Sequence, residues 1–485
     1  MQIPERFNAA AYFIDRHIAE GRGGKVAIEC GERRVTYGQL FEGVNAIGSY
    51  LKHIGIRKGD RVVLRLSDTP EFGMAFFGAI KIGAIPVPVN TFLKPDDYSY
   101  FVEHSGAKLT IADREAEKIL SARPLGAALE PEPARQDEPA FWLYSSGSTG
   151  RPKACVHRER DMLVCSEHYA KGILGMTAED RCFSASKLFF AYGLGNALYY
   201  PLAVGATSIL LPDRAATEKI FETIERHRPT LFFAVPSQYA GMLEHEAGNV
   251  EHGMKNIRAC VSAGEALPVP LFNRFKERFG HELLDSIGST EALQAFISSR
   301  FGRIREGSVG ELIPGYEANI LDEQGKEAEL GAAGDLYIKN DAVCAEYWGE
   351  PEKTAAVIRD GWLRTGDRFR RDEDGYFWFI GRADDMFKSK GAWVSPVAVE
   401  QVLLGHPAVL EAAVVGKKNT AGLMRPAAYV VLKKEFSPKE RIFKEELTAR
   451  CAELLPAYER PAWFEFLSEL PKTATGKVQR FRLRD

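Results

Sequence analysis

The spacing of apolar positions changes several times along the chain, and each change marks an element. Thr36 and Gln39 form a capping-box signature, and Leu40, Val44, Ile47 and Leu51 follow at helical spacing. Residues 61–66 read as a strand, residues 70–83 as a helix begun by Pro70, and residues 85–89 as a second strand. Residues 113–139 are rich in Ala, Glu and Pro, weakly patterned, and read as a surface connection. The run Ala140-Phe141-Trp142-Leu143 then reads as a buried strand. Further on, 207–211 and 230–235 read as strands flanking a helix over 215–228. Such alternation predicts an α/β layer fold. Gly-rich turns and short extended runs fill 300–380, and after Arg382 the character changes again. Strands at 410–416, 427–432 and 463–467, with a helix capped by Ser437 and Glu440 running to residue 455, predict a separate compact α+β module.

Bulk properties narrow the class. A chain of 485 residues exceeds one typical domain, so two or more are expected. The net charge of −3 gives no support for nucleic acid or an anionic membrane as partner. The 7 Cys are scattered, none in a C-x-x-C pair, which reads as free thiols in a reducing, cytoplasmic compartment. The N-terminus is polar without a signal-like apolar core. Lys81 breaks the longest apolar candidate, over 73–89, so no membrane span is expected.

The most informative stretch is YSSGSTGRPK, Tyr144 to Lys153, directly after the buried run. Glycines let backbone N–H groups approach phosphate oxygens, hydroxyls add donors, and Lys153 supplies charge. It is not a Walker A loop, because Gly147 and Gly150 are three apart and Pro152 precedes the Lys. The plain alternative is a flexible surface turn. A second cluster is DSIGSTEALQAF, Asp285 to Phe296. Thr290 and Glu291 suit a Mg²⁺ held by few protein ligands plus substrate phosphates. Read alone, they equally suit a capped helix start. Asp285-Ser286-Ile287 also looks like the serine site of a carrier protein, without the four-helix context such a site needs. A third cluster, GWLRTGDRF and YFWFIGRADD, places Asp367 where it can accept from two ribose hydroxyls, with Arg382 as a second contact. An Asx turn and a surface ion pair are the alternatives for these two. The last cluster is the Lys-bearing Thr/Gly loop at 472–477.

Together these clusters resemble the adenylate-forming superfamily of acyl- and aryl-CoA synthetases, adenylation domains and luciferases. The phosphate loop, SAGEALP (262–268), GSTE (288–291), the YW…GWLRTGD stretch (347–367), GRADD (381–385) and PKTATGK (471–477) stand in that family's order over nearly the whole chain. YSSGSTGRPK, FFAYGLGNALYYPLAVGAT and IGSTEAL look most like benzoate-type aryl-CoA ligases. The resemblance implies two half-reactions: a carboxylate attacks the α-phosphate of ATP to give an acyl-adenylate and pyrophosphate, then a thiol, usually of CoA, expels AMP. The carboxylate, with a pKa of about 4, needs no base, so catalysis is alignment and charge stabilisation at phosphorus.

By that resemblance, Ser145, Ser146, Gly147, Ser148, Thr149, Gly150 and Lys153 wrap the β- and γ-phosphates, Glu291 helps hold Mg²⁺, and Thr290 contacts the α-phosphate. Gly264 and Glu265 line the adenine site, Asp367 binds the ribose beside Arg382, and Lys477 bridges carboxylate and α-phosphate oxygens. It further implies a large N-terminal domain of layered α/β subdomains, 1–383, and a small mobile α+β domain, 384–485. The hinge falls at Asp384, and the loop from Lys388 to Trp393 serves the second step, with Gly391 near the pantetheine tunnel.

The acyl pocket is expected from Phe189, Phe190, Ala191, Tyr192 and Gly193, with Ala263, Gln294 and Ala295. Benzoate-type members commonly carry His and Ile where Gln294 and Ala295 stand, which leaves room and an amide beside the ring. A hydroxy-, amino- or halo-benzoate, or a larger cyclic acid, is one expectation; unsubstituted benzoate with compensating neighbours is the other. Three roles remain open: an aryl-CoA ligase, an aryl adenylating enzyme loading a separate carrier protein, and a catalytically silent binding homologue. A monomer or a homodimer is expected.

Overall fold

The computed structural model describes residues 2–122, 129–145, 151–245, 251–420, 422–436, 440–472 and 478–484. Its largest sheet is nine-stranded. The central strands Leu283–Gly288, Ala259–Ser262, Leu231–Ala234, Arg181–Ser184, Thr207–Leu210 and Val26–Cys30 run parallel in that order. Antiparallel strands close both edges: Arg33–Thr36 on one, Ala295–Ser298 and Glu311–Leu312 on the other. Parallel strands covered on both faces read as continuous apolar runs, and LFFA at Leu231–Ala234 is buried throughout. Its side chains divide by the two-residue period. Phe232 and Ala234 pack with Ile220, Phe221, Tyr239 and Phe275 from three helices on one face, whereas Leu231 and Phe233 join the main core on the other.

The capping box at Thr36 and Gln39 forms as expected and opens the helix Tyr37–His53. That helix packs against Pro70–Lys81, which is buried on every side. Lys81 itself is inside, and its ammonium is held by Asp15 and Asn45, each at 2.7 Å, so a residue expected to interrupt an apolar span is a paired core cation. Among the described residues no helix is long and apolar enough to cross a membrane.

Residues 113–139 correct the surface-connection reading in part. Asp113–Ala122 is a helix that buries only Ala116 and Ile119, too few apolar positions to register as a pattern. A three-stranded parallel sheet, Ile85–Pro88, Arg61–Arg65 and Leu109–Ala112, adjoins it. The buried run forms the strand Pro139–Ser145, paired antiparallel with Lys153–Arg158.

A mainly antiparallel sheet of Glu317–Leu321, Gly334–Lys339, Trp362–Arg371, Ile358–Arg359 and Phe377–Arg382 follows. The hairpin Phe387–Ser389 and Ala392–Val394 then leads into the sheet Val409–Lys418, Met424–Leu432 and Trp463–Phe466. Helices Pro396–Leu404 and Glu440–Leu454 cover it. The expected cap Ser437 lies outside the described residues. The two apolar clusters of this region contain nothing before Phe387, so it has its own core. All seven cysteines are buried free thiols.

Candidate active site

The antiparallel hairpin sets Ser145 opposite Lys153, so the phosphate-loop segment starts and ends on one cross-strand pair. Ser146, Gly147, Ser148, Thr149 and Gly150 lie outside the described residues. Both ends of the segment are fastened to the helix Asp97–Ser105. The Tyr100 hydroxyl donates to the Pro152 carbonyl at 2.6 Å, and His104 Nδ1 meets the Tyr144 hydroxyl at 2.9 Å. The Arg151 guanidinium sits over the Tyr100 ring.

From this hairpin a short chain of contacts reaches the second cluster. Lys153 Nζ lies 4.2 Å above the centre of the Tyr347 ring, a cation–π distance. The Tyr347 hydroxyl donates to Glu291 Oε1 at 2.8 Å. The GSTEAL segment is not a helix start: it is the tight connection between Leu283–Gly288 and Ala295–Ser298. Ser289 Oγ accepts from the Ala292 amide, and Leu293 takes φ +64°, a left-handed value that a branched side chain rarely adopts. The backbone there is held from behind. Cys344 N donates to the Glu291 carbonyl at 2.7 Å, and His157 Nε2 lies 3.0 Å from the Thr290 carbonyl, with its Nδ1 3.2 Å from the buried Asp161.

Glu291 Oε2 has no hydrogen-bond partner among the described residues. No group of three or more metal-ligating side chains forms among them either. A lone carboxylate oxygen fits a hard cation that takes most of its ligands from phosphate and water, and does not fit a dedicated protein cage.

The third cluster arrives on two strands. The register pairs Asp367 with Arg382, and Arg382 Nη1 bonds Asp367 Oδ1 at 2.9 Å. Gly366 has φ +75°, and a Cβ there would stand 3.0 Å from the same guanidinium, so this turn requires glycine. Burial works against the Arg382 charge, yet Asp367, Asp384 and Glu291 together hold its pKa above the usual guanidinium value. One cation thus lies in the field of the expected ribose, hinge and metal positions at once.

Gly264, at φ +90°, follows the strand Ala259–Ser262, with Ala263 buried beside it. The Glu265 carboxylate accepts from Ser237 N at 3.2 Å and Ser237 Oγ at 3.3 Å, tying the expected adenine wall to the helix Pro236–Glu244. Ala191, Tyr192 and Gly193 form the first turn of a helix that begins at Ala191. The Tyr192 hydroxyl donates to Val261 O at 3.1 Å. Gln294 Nε2 donates to Ala191 O at 2.7 Å and Tyr192 O at 3.3 Å, and Ala295 is buried next to it. The expected pocket residues therefore come together on three elements.

The expected hinge is bound from the C-terminus. Arg484 Nη2 donates to the Asp384 carbonyl at 3.1 Å and to Asp385 Oδ1 at 2.7 Å, while Arg480 holds Glu400 through both oxygens. Gly391 is open at the tip of its hairpin. Lys477 lies outside the described residues. Tyr347 and His157 carried no role in the sequence reading. Tyr347 opened a family stretch, but nothing in the residues announced its reach to Glu291. His157 is a lone His in an apolar strand and gives no signal of its own.

These features are those of an adenylate-forming enzyme, and the chain belongs to the AMP-binding enzyme family. Residues 15–348 match the AMP-binding enzyme family and 398–477 its C-terminal domain. Among curated relatives, the benzoate–CoA ligase of Thauera aromatica is 43% identical, covering 100% of this chain and 97% of that protein. A crystal structure of a benzoate CoA ligase from Burkholderia xenovorans LB400 superposes with a TM-score of 0.92 at 41% identity, over 99% of this chain and 100% of that one. An anthranilate CoA ligase in complex with anthranoyl-AMP gives 0.94 at 36% identity, over 100% and 98%.

Proposed function

We propose that this chain is an ATP-dependent aryl-CoA ligase, converting benzoate or a substituted benzoate, ATP and CoA into aryl-CoA, AMP and diphosphate. In the first step a carboxylate oxygen bonds to the α-phosphorus and diphosphate leaves. In the second the CoA sulfur bonds to the acyl carbon, the acyl–oxygen bond to AMP breaks, and the thiol proton passes to solvent. The observation that carries this reading is the convergence of Lys153, Tyr347, Glu291, Asp367 and Arg382 where three sheets meet. The full-length likeness to ligases of benzoate and anthranilate supports the acid class.

In this reading the Tyr144–Lys153 segment cradles the β- and γ-phosphates, with Lys153 kept in place by the Tyr347 ring. Thr290 meets the α-phosphate, and Glu291 Oε2 is the protein ligand of Mg²⁺. The bound cation would neutralise charge on the phosphates. Asp367 takes the ribose hydroxyls, and Arg382 holds the Asp367 carboxylate in place for them. Gly264 and Glu265 shape the adenine site. Domains 1–383 and 384–485 turn about Asp384 between steps, presenting Lys477 for adenylation and Gly391 for thioester formation.

The test is pyrophosphate release with ATP and Mg²⁺ across aryl, cycloalkyl and short aliphatic acids, followed by thioester detection with CoA. Aromatic acids should give both products. Absence of acid-dependent pyrophosphate would overturn the reading. Pyrophosphate without CoA thioester would replace it with an adenylating enzyme that serves a carrier protein in trans.

A further inference from the structure

We propose that the acyl pocket ends in a hydrogen-bonding subsite, built from Gln294 and Tyr199, that selects aromatic acids bearing a hydroxy or amino ring substituent over unsubstituted and halogenated ones. This rests on the aryl-CoA ligase reading. The first observation is the orientation of the Gln294 amide. Its Nε2 lies within 3.3 Å of two backbone carbonyl oxygens, Ala191 O and Tyr192 O. Only the NH₂ end of an amide can satisfy two carbonyls, so oxygen and nitrogen are not interchangeable here. Both donors are spent on the backbone. Oε1 is left as an acceptor to which no described residue donates, on a side chain only 4% exposed. A desolvated acceptor of this kind calls for a donor.

The second observation concerns the side chains next to Gln294, whose amide lies beside the Tyr199 phenol. The Tyr199 hydroxyl is buried without a hydrogen-bond partner among the described residues, and so are the Tyr200 hydroxyl and both ends of the Asn196 carboxamide. Tyr199 and Tyr200 touch edge to face at 4.9 Å. Buried polar atoms are paired in roughly nine cases in ten, so a group of them on one short stretch, 196–200, marks a partner that the chain itself does not supply.

Gly195 is where the Gln294 amide and the Tyr199 phenol come close. A Cβ at that position would fall 2.0 Å from Gln294 Nε2 and 3.1 Å from the Tyr199 oxygen. A bare backbone at 195 is what admits the amide, and amide and phenol converge over it.

The chemistry of the occupant follows from the two free functions. A phenol or aniline group donates to Gln294 Oε1, while Tyr199 can either accept from it or donate to it. A hydrogen or a halogen on the ring cannot donate, and would leave the Gln294 acceptor unpaired. Sites built to hydrogen-bond a substrate group discriminate strongly against analogues that lack it.

The experiment measures kcat/KM for aryl-CoA formation with benzoate, the hydroxy- and aminobenzoates, and their fluoro and methyl counterparts. The wild type is compared with Gln294→Leu and Tyr199→Phe. At one ring position the donor-bearing acid should exceed its fluoro and methyl isosteres by at least about 10-fold. Gln294→Leu should remove that gap, lowering kcat/KM for the donor-bearing acid about 10- to 100-fold more than for its fluoro and methyl isosteres. Tyr199→Phe, which keeps the ring, should narrow the gap in the same direction. Equal use of donor and non-donor isosteres by the wild type would overturn the subsite, as would an equal loss on all acids in Gln294→Leu; the buried hydroxyls would then be paired with structural water. No thioester from any aromatic acid would instead overturn the ligase reading beneath it.

Discussion

The proposed nucleotide side and the proposed acyl side of this site are built in opposite ways. On the nucleotide side the functional groups already hold one another: Lys153 on Tyr347, Tyr347 on Glu291, Arg382 on Asp367. On the acyl side Gln294 is fixed to the backbone, while Tyr199, Tyr200 and Asn196 bury polar atoms with no partner among the described residues. Every substrate set of an adenylating enzyme includes the same ATP, so its groups can be pre-paired and preorganised. The acid differs from one enzyme to the next, and its recognition is left for the ligand to complete. Changes on the nucleotide side should therefore lower turnover of all acids alike, and changes on the acyl side should re-rank the acids.

The largest effect is expected from Lys477→Ala. Adenylation should fall by about 1,000-fold or more, as when a group that meets developing charge is removed. Conversion of supplied aryl-adenylate and CoA to thioester should persist within a few-fold. Single-turnover assays of each half-reaction check this, and an equal loss in both would refute the alternation of the two domains. Next is Asp367→Asn. Losing a charge-assisted hydrogen-bonding group, at about 3 kcal/mol, should lower kcat/KM for ATP about 100-fold while leaving the order of preferred acids unchanged. A reshuffled acid order would break the division between the two sides.

Much of this was legible in the residues, for identifiable reasons. Strands such as Leu231–Ala234 are continuous apolar runs, and the helix at Tyr37 carries its start signal in Thr36 and Gln39. The site motifs are local in sequence: Asp367 and Arg382 stand in short Gly-turn stretches, and the register brings them together. What escaped is long-range. Tyr347 reaches Glu291 across 56 positions and His157 reaches Thr290 across 133, and no spacing rule spans such gaps. The helix Asp113–Ala122 escaped for a different reason, since two buried positions make no periodic signal. GSTEAL carried helix-start chemistry, yet tertiary constraint holds it in a turn with Leu293 at φ +64°.

A smaller effect is expected from Tyr347→Phe. It removes the donor to Glu291 Oε1 and keeps the ring under Lys153. With a hydrogen bond to a charged group worth about 1.5–3 kcal/mol, the Mg²⁺ concentration giving half-maximal adenylation should rise about 10-fold or more, and saturating Mg²⁺ should recover most of the rate. Unchanged Mg²⁺ dependence would mean that Tyr347 supports Lys153 alone. The acid ranking should again stay as in the wild type.

The smallest effect on turnover, and the sharpest on stability, concerns the footing of the nucleotide side. Glu159 follows the strand Lys153–Arg158 and is buried, accepting from Ala9 N at 2.6 Å. Burial pushes its pKa up to about 8; the Ala9 amide and Lys58 favour the charged form and Glu138 opposes it, and loss of water outweighs them. The folded state therefore prefers the neutral acid, whereas the unfolded chain ionises near the ordinary value of about 4.3. Stability from this group is complete below that value and is lost as pH rises toward 8. The loss accumulates at about 1.4 kcal/mol for each pH unit crossed. Glu159→Gln retains an oxygen for Ala9 N and carries no charge at any pH. Its melting temperature should match the wild type near about pH 4 and exceed it by several degrees near about pH 8, with adenylation rates alike near about pH 7. Parallel melting curves from about pH 4 to about pH 8 would show that Glu159 stays ionised in the fold, paired by a group that burial alone does not reveal.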